Sequence, residues 1–313
     1  MDWTPGGMSS DVEDRRGDSG GGGGFNFGGG GGGGLGIIGF IVLLVISLVT
    51  GRNFIGSYLS GGSSAPTAQT RQADQRANGY GPSQGAAGGS NGQTGSGAPD
   101  RDAQLVSFVL DDVQKTWTQI FAAKGATYKH AKLVLFRGST YSGCGTARAA
   151  TGPFYCPADG KVYIDLGFWD ELKRFGGDTG DFAQAYVLAH ELGHHVQDLL
   201  GTESKVSRLQ QQDPSQAKPL SVELELQADC YAGVWGHSTE QRGIVHPDDV
   251  AGALKAAAAV GDDHLQEMSG RAVSPESWTH GSSAQREEWF KRGLTSGDPA
   301  QCNTFAAHAG SGE

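Results

Sequence analysis

Residues 190–194 read His-Glu-Leu-Gly-His. On a helix, positions i and i+4 share a face, so His190 and His194 can offer imidazole nitrogens to one cation. Glu191 projects from nearly the same side, within reach of a water on that cation. Two nitrogen donors and a carboxylate base on one helical turn are what metal-assisted hydrolysis requires, and Zn2+ is the ion this donor set suits. The flanks predict the helix itself. Residues 182–200 contain no proline, and Tyr186, Ala189, Val196 and Leu199 recur at helical spacing. Asp181 is a candidate N-cap and Gly201 a stop. A lone buried histidine is usually a core residue bonded to the backbone, and that reading is given to His195, which points off the shared face.

A catalytic zinc takes three protein ligands and keeps one position open. A continuation HExxHxxGxxH would need Gly at 197 and His at 200, where this chain has Gln197 and Leu200. The third ligand is therefore sought as a carboxylate on a later helix. Within 221–235, Leu224, Ala228, Ala232 and Trp235 form a packing stripe, with Glu225 and Asp229 beside it. Glu225 is the candidate ligand. Asp229, four residues on, would accept the free ring N–H of a ligating histidine and fix its tautomer. Taken without the first helix, both would read as solvated surface acids. Glu223 is the rival ligand, with Gln227 in place of an acid at i+4.

These helices need a scaffold. Residues 102–123 predict a helix with Leu105, Phe108, Val109, Val113, Trp117 and Ile120 on its apolar side, and 132–136 and 161–166 read as strands. Further helices are expected near 167–174, 203–212, 247–260 and 282–292. A small sheet followed by helices makes the fold class α+β. His280, beside Gly281, is the first candidate to stabilise a developing oxyanion, with Tyr163 and Tyr231 behind it.

The chain resembles the bacterial neutral zinc metallopeptidases. The resemblance is carried by Cys-Gly-Thr-Ala at 144–147, Gly-Pro-Phe-Tyr-Cys-Pro-Ala-Asp at 152–159 and Val-Tyr-Ile-Asp-Leu at 162–166. It continues in His-Glu-Leu-Gly-His-His-Val-Gln at 190–197, Glu-Leu-Gln-Ala-Asp-Cys at 225–230 and Thr-His-Gly-Ser-Ser-Ala-Gln-Arg at 279–286. It spans about 100–305. It implies a zincin-like, mainly helical domain of the gluzincin kind, with His190, His194 and Glu225 as ligands, Glu191 catalytic, and a protein or peptide substrate. In such folds an edge strand upstream of the metal helix pairs with extended substrate, and 161–166 is the candidate, with an ordinary internal strand as the competing reading.

Composition divides the rest. Residues 1–34, with glycine runs at 20–24 and 28–34, are expected to be disordered, and 52–100 reads as a flexible linker. Between them, 35–51 is expected to be a single transmembrane anchor. Its uncharged run at 35–50 would make a helix of about 24 Å, slightly short of a ~30 Å hydrocarbon core. The enzymatic domain is placed at 101–305 and a tail at 306–313. Cys144, Cys156, Cys230 and Cys302 form no CxxC, which favours disulfides, with Cys144–Cys156 and Cys230–Cys302 the most economical of three pairings. Bridges would put the domain on the extracytoplasmic side. The net charge of −10 argues against a nucleic-acid partner. The oligomeric state is not encoded in any recognisable pattern. The competing function is a catalytically silent, zinc-stabilised envelope module that binds a protein or cell-wall partner. Such a module has no use for an acid at 191.

Overall fold

The computed structural model describes residues 1–18 and 100–305. The expected membrane anchor, nearly all of the linker and the tail lie outside the described residues.

Helix α1 (Arg101–Ala123) starts where the Asp100 side chain accepts the Ala103 N–H at 3.2 Å, and its buried stripe includes Leu105, Val109, Val113 and Trp117. Two short apolar runs follow as strands, β2 (Lys132–Phe136) and β6 (Lys161–Asp165), paired in parallel from Lys132↔Lys161 to Phe136↔Asp165. Between them in sequence lie a separate hairpin, β3 (Ser139–Ser142) and β4 (Gly145–Arg148), and β5 (Phe154–Cys156), antiparallel to β6. With β1 (Val12–Asp14), parallel to β2, the main sheet has the order β1-β2-β6-β5. The remainder is helical: α2 (Phe168–Arg174), α3 (Asp181–Leu199), α4 (Thr202–Gln212), α5 (Ala217–Gln241), α6 (Pro247–Ala259), α7 (Asp262–Met268) and α8 (Ser283–Ser296). The architecture is α+β, mostly helical with a small sheet. Among the described residues no helix is long and apolar enough to cross a membrane.

Helix α3 is central and packs against α1, α5 and α6, while α8 lies along α5. Two glycine contacts set these distances. A Cβ on Gly193 would lie 3.0 Å from the Ala228 carbonyl oxygen, so the metal-motif helix approaches α5 almost backbone to backbone. On α8, Gly293 sits so tightly on the Cys230 carbonyl that no side chain fits there. Both disulfides join as expected from sequence. Cys144–Cys156 pins the β3–β4 turn to β5, and Cys230–Cys302 ties the chain end to α5. The second closes a separation of 72 residues, which in the chain-entropy account stabilises by about 4 kcal/mol.

Two expectations are corrected. Residues 1–34 were expected to be disordered throughout, yet residues 1–18 are folded onto the domain. Glycine runs dominate the average over 1–34, but they begin only at residue 20. Ahead of them the charges on and beside β1 find partners: Asp11 meets Lys132 Nζ at 2.7 Å, Glu13 meets Lys161 Nζ at 2.7 Å, and Asp14 meets Arg16. Trp3 packs at a tilt against Phe108, under Arg101, and donates to Asp181 at 2.7 Å. The second correction concerns the proposed edge strand. Residues 161–165 lie inside the sheet between β2 and β5, and β5 is the outer strand on that side. The buried run Val162–Ile164 suits an interior strand flanked on both sides.

Candidate metal centre

The close contact at Gly193 brings the donors of α3 and α5 together. His190, His194 and Glu225 each offer an atom within 4.8 Å of the others. His190 Nε2 lies 3.2 Å from Glu225 Oε2, and His194 Nε2 lies 3.6 Å from Glu225 Oε1. Two zinc bonds of ~2.05 Å at a tetrahedral angle separate their donor atoms by roughly 3.3 Å. Both histidine–carboxylate separations are close to that value, so two nitrogens and one carboxylate form a donor set of the kind that suits zinc. The rival Glu223 is not among the converging donors.

Each imidazole is oriented from behind. His190 Nδ1–H donates to Asp229 Oδ1 at 2.8 Å, which leaves Nε2 facing Glu225. Asp229, fully buried, also accepts from Tyr186 Oη at 2.5 Å and takes two bonds from the Arg286 guanidinium at 2.9 Å each. His194 Nδ1–H donates to Gln197 Oε1 at 2.8 Å. The Gln197 amide donates onward to Leu224 O and Gln227 Oε1, and Gln227 donates to the Cys302 carbonyl. The Cys230–Cys302 bridge thus holds the far end of the chain that sets the His194 ring. His195 faces away from the cluster, between Tyr155 Oη at 3.0 Å and Lys129 O at 2.6 Å, which fixes α3 against β5.

Glu191 is buried beside the donors and accepts the backbone N–H of Tyr155 on β5. Burial raises its pKa, against the pull of His190 and His194, and leaves it a stronger base than an exposed carboxylate. Burial alone would depress the His190 imidazolium, but the charge of Asp229 and hydrogen bonds to Asp229 and Glu225 prevail and raise it to about 10. For Glu225 burial acts upward, and His194 and His190 outweigh it, holding the carboxyl well below the usual range.

His280 approaches from the loop before α8. Its ring lies close enough for its charge to lower Glu225. Asp262, at the start of α7, accepts the backbone N–H groups of Thr279, His280 and Gly281 at 2.7, 2.6 and 3.0 Å. It also accepts His280 Nδ1–H at 3.2 Å, which orients the ring. The two tyrosines ranked behind His280 are engaged elsewhere. Tyr163 Oη donates to Asp159 at 2.7 Å, and Tyr231 packs on Trp117 in the core. Sequence reasoning missed Arg286, Tyr186, Asp262 and Gln197. Tyr186, one turn before His190, and Gln197, three after His194, carried an i−4 and i+3 spacing signal. Asp262 carried none.

Comparison with known proteins agrees with the arrangement. The model of the family described as "Putative neutral zinc metallopeptidase" matches residues 1–305, so the match reaches back beyond 100 to include β1. The chain is 47% identical over 306 residues to the Escherichia coli (strain K12) protein "Uncharacterized protein YpfJ", covering 97% of this chain and 99% of that one. It is 43% identical over 208 residues to "Uncharacterized protein Rv2575" of Mycobacterium tuberculosis (strain ATCC 25618 / H37Rv), covering 63% and 68% respectively. No solved structure matches. With the family match running over residues 1–305, this chain belongs to the neutral zinc metallopeptidase family.

Proposed function

We propose that the chain is a zinc-dependent peptidase that hydrolyses peptide bonds, with His190, His194 and Glu225 holding the ion. The observation that carries this reading is Glu191, a buried carboxylate set beside the donor cluster with its basicity raised. Zinc, when bound, supplies Lewis acidity and acidifies water. Glu191 takes the proton from the attacking water and hands it to the leaving amine. His280, aimed by Asp262, donates to the developing oxyanion. β5 borders this space as the outermost strand, with the Tyr155 N–H turned to Glu191, and an outer strand suits an extended peptide paired through backbone groups. That geometry favours unfolded or extended substrates with little dependence on side chains.

A catalytically silent zinc module is the second reading. It accounts for the three donors but gives a buried acid at 191 nothing to do. Hydrolysis of amides in cell-wall peptides would use the same groups. The deciding experiment is Glu191→Gln in the full chain, with zinc content and cleavage of unfolded casein measured together. Full zinc with lost, chelator-sensitive cleavage is the expected result. Undiminished cleavage removes Glu191 from the mechanism, and absence of cleavage in the zinc-loaded parent favours the silent module.

A further inference from the structure

Helix α4 turns one face inward. Glu203, Val206 and Gln210, at i, i+3 and i+7, share that face. All three line a cavity of about 430 Å³ between α3, α4 and α5. The cavity reaches the candidate metal centre, because His194 and Glu225 belong to its wall, and so does Pro157, the residue after β5. Val206 and Leu224 give it apolar surface.

The polar atoms of this wall are one-sided. Gln210 is 6% exposed, and its amide N–H groups are spent on Ala217 O at 2.8 Å and Ser221 Oγ at 3.1 Å. The Ala217 carbonyl can only accept, which fixes the orientation of the amide. Gln210 Oε1 is thereby left buried with no donor among the described residues, and Glu203 Oε2 is in the same position. The Asp198 carboxylate, also in the lining, is bonded among the described residues only to the Tyr155 hydroxyl, at 2.8 Å. Burial and the Asp198 charge raise Glu203 to about 7, and no cation acts against them. Arg208, the cation of the lining, is exposed and pairs with neither carboxylate. Two carboxyls and an amide oxygen, all acceptors, suit an alkyl chain that ends in a positive charge and several N–H donors.

We propose, resting on the peptidase reading, that this cavity is a subsite for a lysine or arginine side chain of the substrate beside the bond that is cut. Glu203 and Asp198 meet the charge, Gln210 Oε1 takes one N–H, and Val206 and Leu224 pack on the alkyl stem. Pairing along β5 is indifferent to side chains, so the cavity adds one position at which the side chain counts. The net charge of −10 draws basic segments towards the chain.

Two measurements on the zinc-loaded full chain test this. The first is binding of n-butylguanidinium against n-butylurea, probes of one shape that differ in charge and have no peptide bond to cut. The cation should bind tighter by on the order of tenfold or more, and Glu203→Gln should abolish that preference with zinc content unchanged. Asp198→Asn, which keeps an acceptor for Tyr155, should weaken it. Equal binding of the two probes, or a preference that survives both substitutions, overturns the subsite. The second is sequencing of the cuts made in a mixed peptide library. Lysine and arginine should be enriched at one position flanking the scissile bond, and less so in Glu203→Gln. Cuts made without regard to basic residues overturn the subsite and leave the peptidase standing. Selective, Glu203-dependent binding without any cleavage does the reverse, keeping the basic subsite and removing the peptidase.

Discussion

Two histidine–carboxylate pairs flank the candidate metal centre, and they are built differently. His190–Asp229 joins one long helix to another, and the buried Asp229 charge is matched by the Arg286 guanidinium and a tyrosine hydroxyl. His280–Asp262 sits in a loop, and its carboxylate is satisfied by three consecutive backbone N–H groups and the ring it orients. The first pair is rigid and carries a fixed positive charge that never titrates. In the second, Asp262 is hydrogen-bonded among the described residues to no cation except its own histidine, although the Arg286 charge still reaches that ring. A ligand must hold still, which suits the helix pair. A group that meets charge as it develops must approach the substrate from outside the ligand set, which suits the loop.

Removing the cation from the helix pair should have the largest effect. In Arg286→Met the Asp229 carboxylate is left buried with an imidazole and a hydroxyl, and breaking such a pair costs about 3–5 kcal/mol. Thermal unfolding of the zinc-free variant should fall by many degrees. A loss under 1 kcal/mol would show that Tyr186 and His190 suffice to hold the charge. His280→Ala should act on the other axis. Loss of one oxyanion donor costs on the order of 10²–10³ in kcat, with zinc content unchanged. Equal loss of zinc and activity would move His280 from the reaction to the metal.

How much of this contrast could be read from the sequence depends on distance along the chain. His190, Glu191 and His194 announce themselves by spacing on one helix, and Glu225 with Asp229 by the same four-residue interval on the next. Arg286 lies 57 residues beyond Asp229 and 96 beyond His190, on a helix whose periodicity says nothing about what it faces. Asp262 is one of two adjacent acids opening a seven-residue helix, indistinguishable in sequence from a favourable helix start. β1 was hidden for another reason. Three residues, Val12, Glu13 and Asp14, have no strand signature of their own, and pairing with β2 and contacts to Lys132 and Lys161 create it. The interior place of β6 was equally invisible, because edge or centre is decided by what β1 and β5 do.

A subtler substitution sharpens the comparison. Asp229→Asn keeps the volume and an acceptor for the His190 ring, but removes the charge that raises the basicity of that ligand. Zinc affinity should fall about 10–100-fold, with proteolysis restored at saturating zinc. Asp262→Asn should leave zinc affinity within a fewfold of the parent. Equal effects in the two variants would mean that His280 takes part in holding the ion.

The smallest expected effect is in the pH dependence of stability, and there the two pairs should differ in shape. Asp229 and Asp262 are both buried, which acts upward, yet their partners hold both below the ordinary 3.8. A depressed carboxyl stabilises the fold at pH above its unfolded value and loses that contribution as the pH falls through its folded one. Both pairs should therefore show an acid limb below about pH 4. His280 adds a second limb. Burial lowers it, but the hydrogen bond to Asp262 and the charge of Glu225 raise it above 6.5. Its contribution is complete below 6.5 and fades as the pH rises through the raised folded value. The stability difference between parent and Asp262→Asn, followed by denaturant unfolding of the zinc-free protein, should thus peak between about pH 4 and 6.5 and decline on both sides. Arg286 keeps its charge throughout, so the difference between parent and Arg286→Met should fall only on the acid side. A rise of that difference on the alkaline side would mean that the guanidinium does not hold the Asp229 charge by itself, and that the His190 imidazolium shares the work until it deprotonates.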